Sequence, residues 1–284
     1  MSDHVTSGPP GQACRLACVR FLNTLPLIEG LEKVRGLELI RAAPARIGAM
    51  VADGRADIGL ASIVDAATSS KPLALIAVGM IGCDGPTLTV RVFSRIPLEE
   101  VRVLWTDSES HTSVVLARLL LGEIAGRRVE AAAYDAARSG GPWPETVLLI
   151  GDKVVTDAPP AHDYPHQLDL GQAWRERTGL PFVYATWMCL AERAEDPVVR
   201  LGAALLDRQR RHNATRLAWV ADRHAEERGW PRDVARRYVG ELLRYDVDAR
   251  AREGATRFLR EAMDAGLLPR ADVHWAGSEA AASA

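Results

Sequence analysis

Apolar and polar positions follow a repeating order along the chain: a short apolar run, a polar turn, then a stretch with helical spacing. Leu16-Ala17-Cys18-Val19 is the first apolar run, and it passes through Arg20-Phe21-Leu22-Asn23-Thr24-Leu25-Pro26-Leu27 into an amphipathic stretch ending at Lys33. That order predicts a strand turning into a helix. Leu37-Glu38-Leu39-Ile40 predicts a second strand, Pro44 opens a helix that Gly54 stops, and Asp57-Ile58-Gly59-Leu60-Ala61 predicts a third strand. Residues 73–79 and 87–93 read as strands either side of the turn Asp84-Gly85-Pro86. Further strands are expected at 102–105, 129–134, 146–150, 166–171 and 181–187, with a helix over 114–121 and another from Gln172. From 197 to 268 the spacing is helical, in blocks 198–211, 213–228, 232–243 and 251–265.

Strands alternating with helices predict an α/β protein. At 284 residues the chain suits two lobes better than one core, and a hydrophobic share of 48% supplies both. The formal charge of −2 gives no global basic field for nucleic acid. No apolar run reaches membrane-spanning length. Cys14, Cys18, Cys83 and Cys189 show no metal-ligand spacing and read as reduced, buried residues; a nucleophilic Cys83 is the functional alternative. The first dozen residues carry Gly8-Pro9-Pro10-Gly11 and no apolar signal-peptide segment, so a cytoplasmic location is expected.

Candidate chemistry gathers where strands end, since ligands in open α/β sheets sit at strand carboxyl ends near helix N-termini. Asn23 and Thr24 follow the first strand; taken alone, the pair reads first as a helix cap. Ser62 follows the third strand, with Asp65 three residues on as in a capping box, so cap and ligand contact both stand. Thr87, Thr89 and Arg91 would share one strand face, lining either a cleft or solvent. Ser110, His111, Thr112 and Ser113 open a helix and could seat a carboxylate, with His111 a potential acid or base or simply a surface residue. Asp152 and Lys153 directly follow a buried strand, and the few lysines of this Arg-rich chain make Lys153 a candidate for charge balance at the cleft.

Several ordered pieces resemble one family. They are Phe21-Leu22-Asn23-Thr24-Leu25-Pro26-Leu27, Ala56-Asp57-Ile58-Gly59-Leu60, Phe93-Ser94-Arg95-Ile96-Pro97-Leu98, Thr112-Ser113, Gly151-Asp152-Lys153, Asp169-Leu170-Gly171-Gln172-Ala173-Trp174, Thr178-Gly179-Leu180-Pro181-Phe182-Val183-Tyr184-Ala185-Thr186-Trp187 and the closing helical pattern from Tyr238 to Leu268. In order, these are similar to the menaquinone biosynthesis family of the futalosine route, specifically its chorismate dehydratase members. The resemblance implies a type II periplasmic-binding-protein-like architecture of two α/β lobes with a hinge and a C-terminal helical tail. Lobe one would hold 13–94 and 188–270, lobe two 95–187, with flexible termini at 1–12 and 271–284. It implies a lyase that dehydrates chorismate to 3-[(1-carboxyvinyl)oxy]benzoate with no cofactor and no metal. Asn23 and Thr89 map onto the family's catalytic positions, and a substrate carboxylate can act as base. Asn23, Ser62 and Thr89 would form one wall, and Ser110, Thr112, Ser113, Asp152 and Thr186 the other; Thr24 and His111 join the substrate-binding set. Relatives commonly carry Ser at the position of Thr89 and Arg at that of His111. The alternatives are a sibling enzyme releasing a dihydroxynaphthoate, whose chemistry needs a His base, and a non-catalytic binding protein for small carboxylates.

Overall fold

The computed structural model describes residues 13–106, 110–134 and 143–276. Two sheets organise them. The first contains β1 (Cys14–Cys18), β2 (Leu37–Arg41), β3 (Ile58–Ser62), β4 (Leu73–Cys83), β10 (Phe182–Leu190), β11 (Leu243–Arg244) and β12 (His274–Trp275), in the order β11-β4-β10-β3-β1-β2 with β12 on β4. The second contains β5 (Val90–Ser94), β6 (Val103–Thr106), β7 (Glu130–Ala133), β8 (Thr146–Ile150) and β9 (His166–Asp169), in the order β7-β6-β8-β5-β9. β1 runs parallel to β2 and β3, whereas β10 lies antiparallel between β3 and β4. The chain crosses between sheets twice, through 84–89 and through 179–181.

These crossings differ from boundaries at 94/95 and 187/188. β5 pairs with β8 and β9 and so belongs to the second sheet; β10 pairs with β3 and β4 and so belongs to the first. β10 is a largely apolar buried run and β5 is a mixed one, Val90-Arg91-Val92-Phe93-Ser94, that is mostly buried, and either sheet can take such a strand. Local pattern therefore does not choose between them. The tail also departs from a purely helical one, because β11 and β12 add to β4 and Trp275 is buried. The segment 271–276 is thus partly strand, while 1–12 and 277–284 lie outside the described residues.

Most helices fall where the spacing predicts, but the block expected at 232–243 is α-helical only to Arg237, the block expected from 213 opens inside the helix Pro197–Ala214, and two short helices, Asp65–Thr68 and Lys153–Thr156, fall outside the expected ranges. α1 (Leu25–Ile28) is short, α2 (Pro44–Ala52) starts on its proline, and α3 is Asp65–Thr68. α4 (His111–Ala125) begins three residues before the apolar spacing does, since the Ser110 side chain caps it, and Gly126 ends it in the left-handed conformation. α5 (Lys153–Thr156) follows β8, and α6 (Leu170–Thr178) is capped by Asp169. In the tail come α7 (Pro197–Ala214), α8 (Leu217–Ala225), α9 (Arg232–Arg237) and α10 (Ala249–Asp264). A π-helical turn, Tyr238–Leu242, joins α9 to β11. Lobe one is packed on both faces of its sheet. One face holds Leu16, Ile58 and Trp187 against the tail helices, and the other holds Ile47 and Val51 of α2.

Candidate active site

A cleft opens between the lobes at the carboxyl ends of β1 and β3. Val19, Phe21, Asn23, Pro44, Leu60 and Ser62 line it from lobe one, and Thr87 and Thr89 from the first crossing. Val90, Ser110, Ser113 and Ile150 line it from lobe two, Tyr184 from β10, and Tyr238 and Leu243 from the tail. Of the residues expected from sequence, the fold thus gathers Asn23, Ser62, Thr89, Ser110 and Ser113. Thr24, His111, Thr112, Asp152 and Thr186 lie off the lining.

Asn23 is not a helix cap. It sits inside a 3-10 turn, Leu22–Thr24, whose N-cap is Phe21, and neither that turn nor α1 receives a side-chain cap hydrogen bond. The buried Thr24 hydroxyl donates to Asn23 Oδ1 at 3.1 Å. With its oxygen engaged, Asn23 offers its NH2 group as donor, and the Tyr238 phenol lies against it. The Tyr238 and Thr89 hydroxyls are 2.7 Å apart, both buried. Burial pushes the Tyr238 hydroxyl above its ordinary pKa, so at neutral pH it remains a protonated donor. Trp230 stacks on the Tyr238 ring at 5.0 Å and fixes its plane.

Ser62 does not cap α3, whose N-cap is Val64. Asp65 accordingly closes no capping box; Nδ1 of His111 lies 2.7 Å from its Oδ1. This bond joins lobe one to lobe two and holds the His111 ring off the cleft lining. The hydrogen bond raises the His111 pKa against the opposing effect of burial. Thr112 is buried at the α4 N-terminus, its hydroxyl unpaired among the described residues. Thr186 stands in the first sheet, not on a lobe-two wall; its hydroxyl donates to the Gly79 carbonyl at 3.0 Å, where the β10–β4 register slips. Asp152 follows β8 behind the cleft. Burial raises its pKa, with Arg228 and the Trp230 indole acting the other way. Thr87 and Thr89 both reach the cleft, but Arg91 turns to Gln167 and Asp169.

Among the described residues the lining holds no Asp, Glu, His, Lys or Arg, and Lys153 is not part of it. Positive potential reaches the cleft instead from two helix N-termini. Pro44 opens α2 without a side-chain cap, and Ser110 and Ser113 stand at the start of α4. Such ends carry roughly half a positive charge each and free N–H groups. An anion held there needs no cationic side chain.

Two polar lining residues were not among the site residues expected from sequence. Tyr184 lines the cleft with a buried hydroxyl; Thr87 and Cys83 lie beside it but outside hydrogen-bond geometry. Tyr238 arrives from a point distant in sequence. Its only local sign is the π-helical turn, a geometry frequent at functional sites. Cys83, by contrast, is fully buried and its thiol is pushed up to about 12, which removes it as a nucleophile.

Comparison with known proteins places this geometry. The chain is similar to a crystal structure of a protein from Archaeoglobus fulgidus (TM-score 0.65, 15% identity, 89% of this chain and 98% of that one). It is also similar to the periplasmic aliphatic sulphonate binding protein of Escherichia coli (TM-score 0.62, 12% identity, 92% and 95%). At these identities the likeness establishes the periplasmic-binding-protein fold, two α/β lobes around a cleft. A curated relative, chorismate dehydratase of Thermus thermophilus, is 29% identical over 266 residues, covering 86% of this chain and 93% of the relative. The family model for menaquinone biosynthesis matches residues 14–264, so the chain belongs to the menaquinone biosynthesis family.

Proposed function

We propose that this protein is a cytoplasmic carbon–oxygen hydro-lyase that converts chorismate to 3-[(1-carboxyvinyl)oxy]benzoate and water. The observation that carries the reading is a cleft whose described lining has no charged side chain, with Asn23, Thr89 and Tyr238 converging at the carboxyl end of β1. Chorismate is a dianion with one hydroxyl to lose. The two helix ends and the Ser62, Ser110 and Ser113 hydroxyls suit its carboxylates without a cation. Cleavage of the bond to the proton on the ether-bearing carbon supplies the electrons for the new ring double bond. The neighbouring hydroxyl leaves with a proton as water, and the ring becomes aromatic. The step is redox-neutral and downhill, so the protein's task is to orient and polarise.

In this reading Asn23, with its acceptor oxygen engaged by Thr24, donates to the departing hydroxyl. The Thr89–Tyr238 pair supplies a second donor in a site of low polarity, where oriented dipoles act most strongly. No described lining side chain titrates near neutrality, which assigns proton removal to a carboxylate of the substrate itself. Thr24 serves by orienting Asn23, and Thr186 by closing a sheet irregularity. The sibling reaction, which needs a His base, is disfavoured because His111 is engaged by Asp65 off the lining.

The test is incubation of the purified protein with chorismate, following loss of substrate and appearance of an aromatic enolpyruvyl ether by absorbance and mass. Binding of chorismate without turnover would make the protein a carboxylate-binding module. Release of a dihydroxynaphthoate from a cyclic futalosine derivative would make it the sibling enzyme.

A further inference from the structure

The first crossing between the lobes carries an unusual backbone. Leu88 is at φ +67°, the one non-glycine residue at positive φ among those described. A leucine in that region is strained, and it lies between the two cleft-lining threonines, Thr87 and Thr89. Something outside the crossing must hold it there.

That something is the Asp169 carboxylate. Its oxygens accept from the Thr87 N–H at 2.9 and 3.1 Å, the Thr87 hydroxyl at 3.0 Å and the Leu88 N–H at 2.8 Å. The same group caps α6, accepting from the N–H groups of Gly171 and Gln172 at 3.1 Å each. Arg91 approaches from the side at 3.5 Å. The crossing also presses against the start of α6. A Cβ on Gly171 would fall 2.5 Å from Cys83 Sγ, 2.6 Å from the Gly85 carbonyl and 2.9 Å from Thr87 Cγ2. The helix end and the crossing are therefore fitted to each other at a glycine. A cap needs only the two helix N–H groups; the three bonds to 87 and 88 are in excess of that role.

We propose that Asp169 is a positioning residue for the reaction: it clamps residues 87 and 88 to the N-terminus of α6, holds Leu88 at positive φ, and thereby aims the Thr89 hydroxyl at Tyr238 inside the cleft. The inference rests on the reading of that cleft as the active site. Among the described residues Asp169 hydrogen-bonds no lining residue except Thr87, and it acts on Thr89 through the backbone. Releasing the clamp lets Leu88 relax to negative φ and turns Thr89 away. A glycine at 88 occupies positive φ without a clamp.

The experiment is a cycle of Asp169→Asn, Leu88→Gly and the double variant, with chorismate turnover and melting temperature measured for each. Asp169→Asn is expected to lower kcat by roughly tenfold to a hundredfold, as displacements of a catalytic group do, and to change KM less than kcat. Leu88→Gly is expected to restore part of that kcat in the Asp169→Asn background. It is also expected to shift the melting temperature more favourably when Asp169 is intact than in the Asp169→Asn background, because only the clamped chain has strain to relieve. A mere cap would lower the melting temperature, leave kcat per folded molecule intact and gain nothing from glycine; either unchanged kcat or absent rescue overturns the proposal. If the wild-type protein does not turn over chorismate, the functional reading fails and the melting cycle decides the clamp alone. Equal Leu88→Gly shifts in the two backgrounds then refute it.

Discussion

The two ends of β1 and β3 are built on opposite electrostatic plans. At the amino end Asp57 is buried, and its carboxylate accepts from the Arg15 N–H at 2.9 Å, from Arg15 Nε and a terminal nitrogen at 3.1 and 3.0 Å, and from Arg193 at 2.6 Å. Burial works to raise its pKa, but the bonds from Arg15 and Arg193 overcome it and hold it at about 2. Asp196 engages Arg193 and caps α7, so the tail is tied in as well. At the carboxyl end, Asn23 and Ser62 face a cleft with no charged described lining, and the Tyr184 hydroxyl is buried without a hydrogen-bond partner among the described residues. Full compensation of a buried charge marks a structural lock. Neutral donors left open in a cavity mark a place for a ligand.

The sharpest test of this contrast is a substitution at each end. Asp57→Ala leaves two guanidiniums facing an empty site. We expect a loss of about 3 kcal/mol in denaturant unfolding, the low end for a broken buried pair because both arginines are partly exposed. Turnover per folded molecule should not change; a fall in turnover would erase the distinction between the ends. The same lock predicts acid sensitivity. Because the folded pKa of Asp57 is depressed, its contribution is present above about pH 4 and is lost as the pH falls toward about 2.

Asn23→Ala should do the reverse. Loss of an oriented donor lowers turnover by about 10²–10³; stability falls only by the cost of leaving the buried Thr24 hydroxyl unpaired, about 1–3 kcal/mol, since Asn23 caps no helix. Near-normal turnover would remove Asn23 from the chemistry and make Thr89 the next residue to replace. Tyr238→Phe keeps the Trp230 stack and removes one hydroxyl from Thr89 and Asn23. A lost hydrogen bond of about 1.4 kcal/mol corresponds to about tenfold in kcat, and unchanged kcat would show that the Thr89 hydroxyl is held without it.

The smallest effect belongs to the Asp65–His111 bond between the lobes. The folded pKa of His111 is raised, so its contribution is complete below about pH 6.5 and is lost as the pH rises through the folded value. His111 is partly exposed and the effect is modest. It should appear as a shallow fall in melting temperature over that interval in wild type and be absent in His111→Gln; identical profiles would mean that the bond contributes nothing to closure.

Much of the layout was legible in sequence because it is written locally. Pro44 and Pro197 start helices, Gly126 and Gly179 end them in the left-handed conformation, and β3 and β8 are buried, mostly apolar runs. The rule that ligands gather at strand carboxyl ends pointed to Asn23, Ser62, Ser110 and Ser113, because those residues lie at a strand end or in the turn and helix start that follow one. The resemblance gave Thr186 a place on the cleft that the sheet does not, since the alternation of β10 fixes which residues share a face but not what the face meets.

The α/β class, the order of strands and helices and the family are written in residue types within a few positions of one another. The fold settled the pairing of β5 with β8 and the return of β10 to β4, since those pairings close loops of tens to a hundred residues and a mostly buried strand can satisfy either sheet. It also decided that Tyr238, more than two hundred residues after Asn23, completes the same polar cluster, and that His111 answers to Asp65. The positive φ of Leu88 lies at the same level. No local preference puts a leucine there; a carboxylate 81 residues away, at the start of another helix, does.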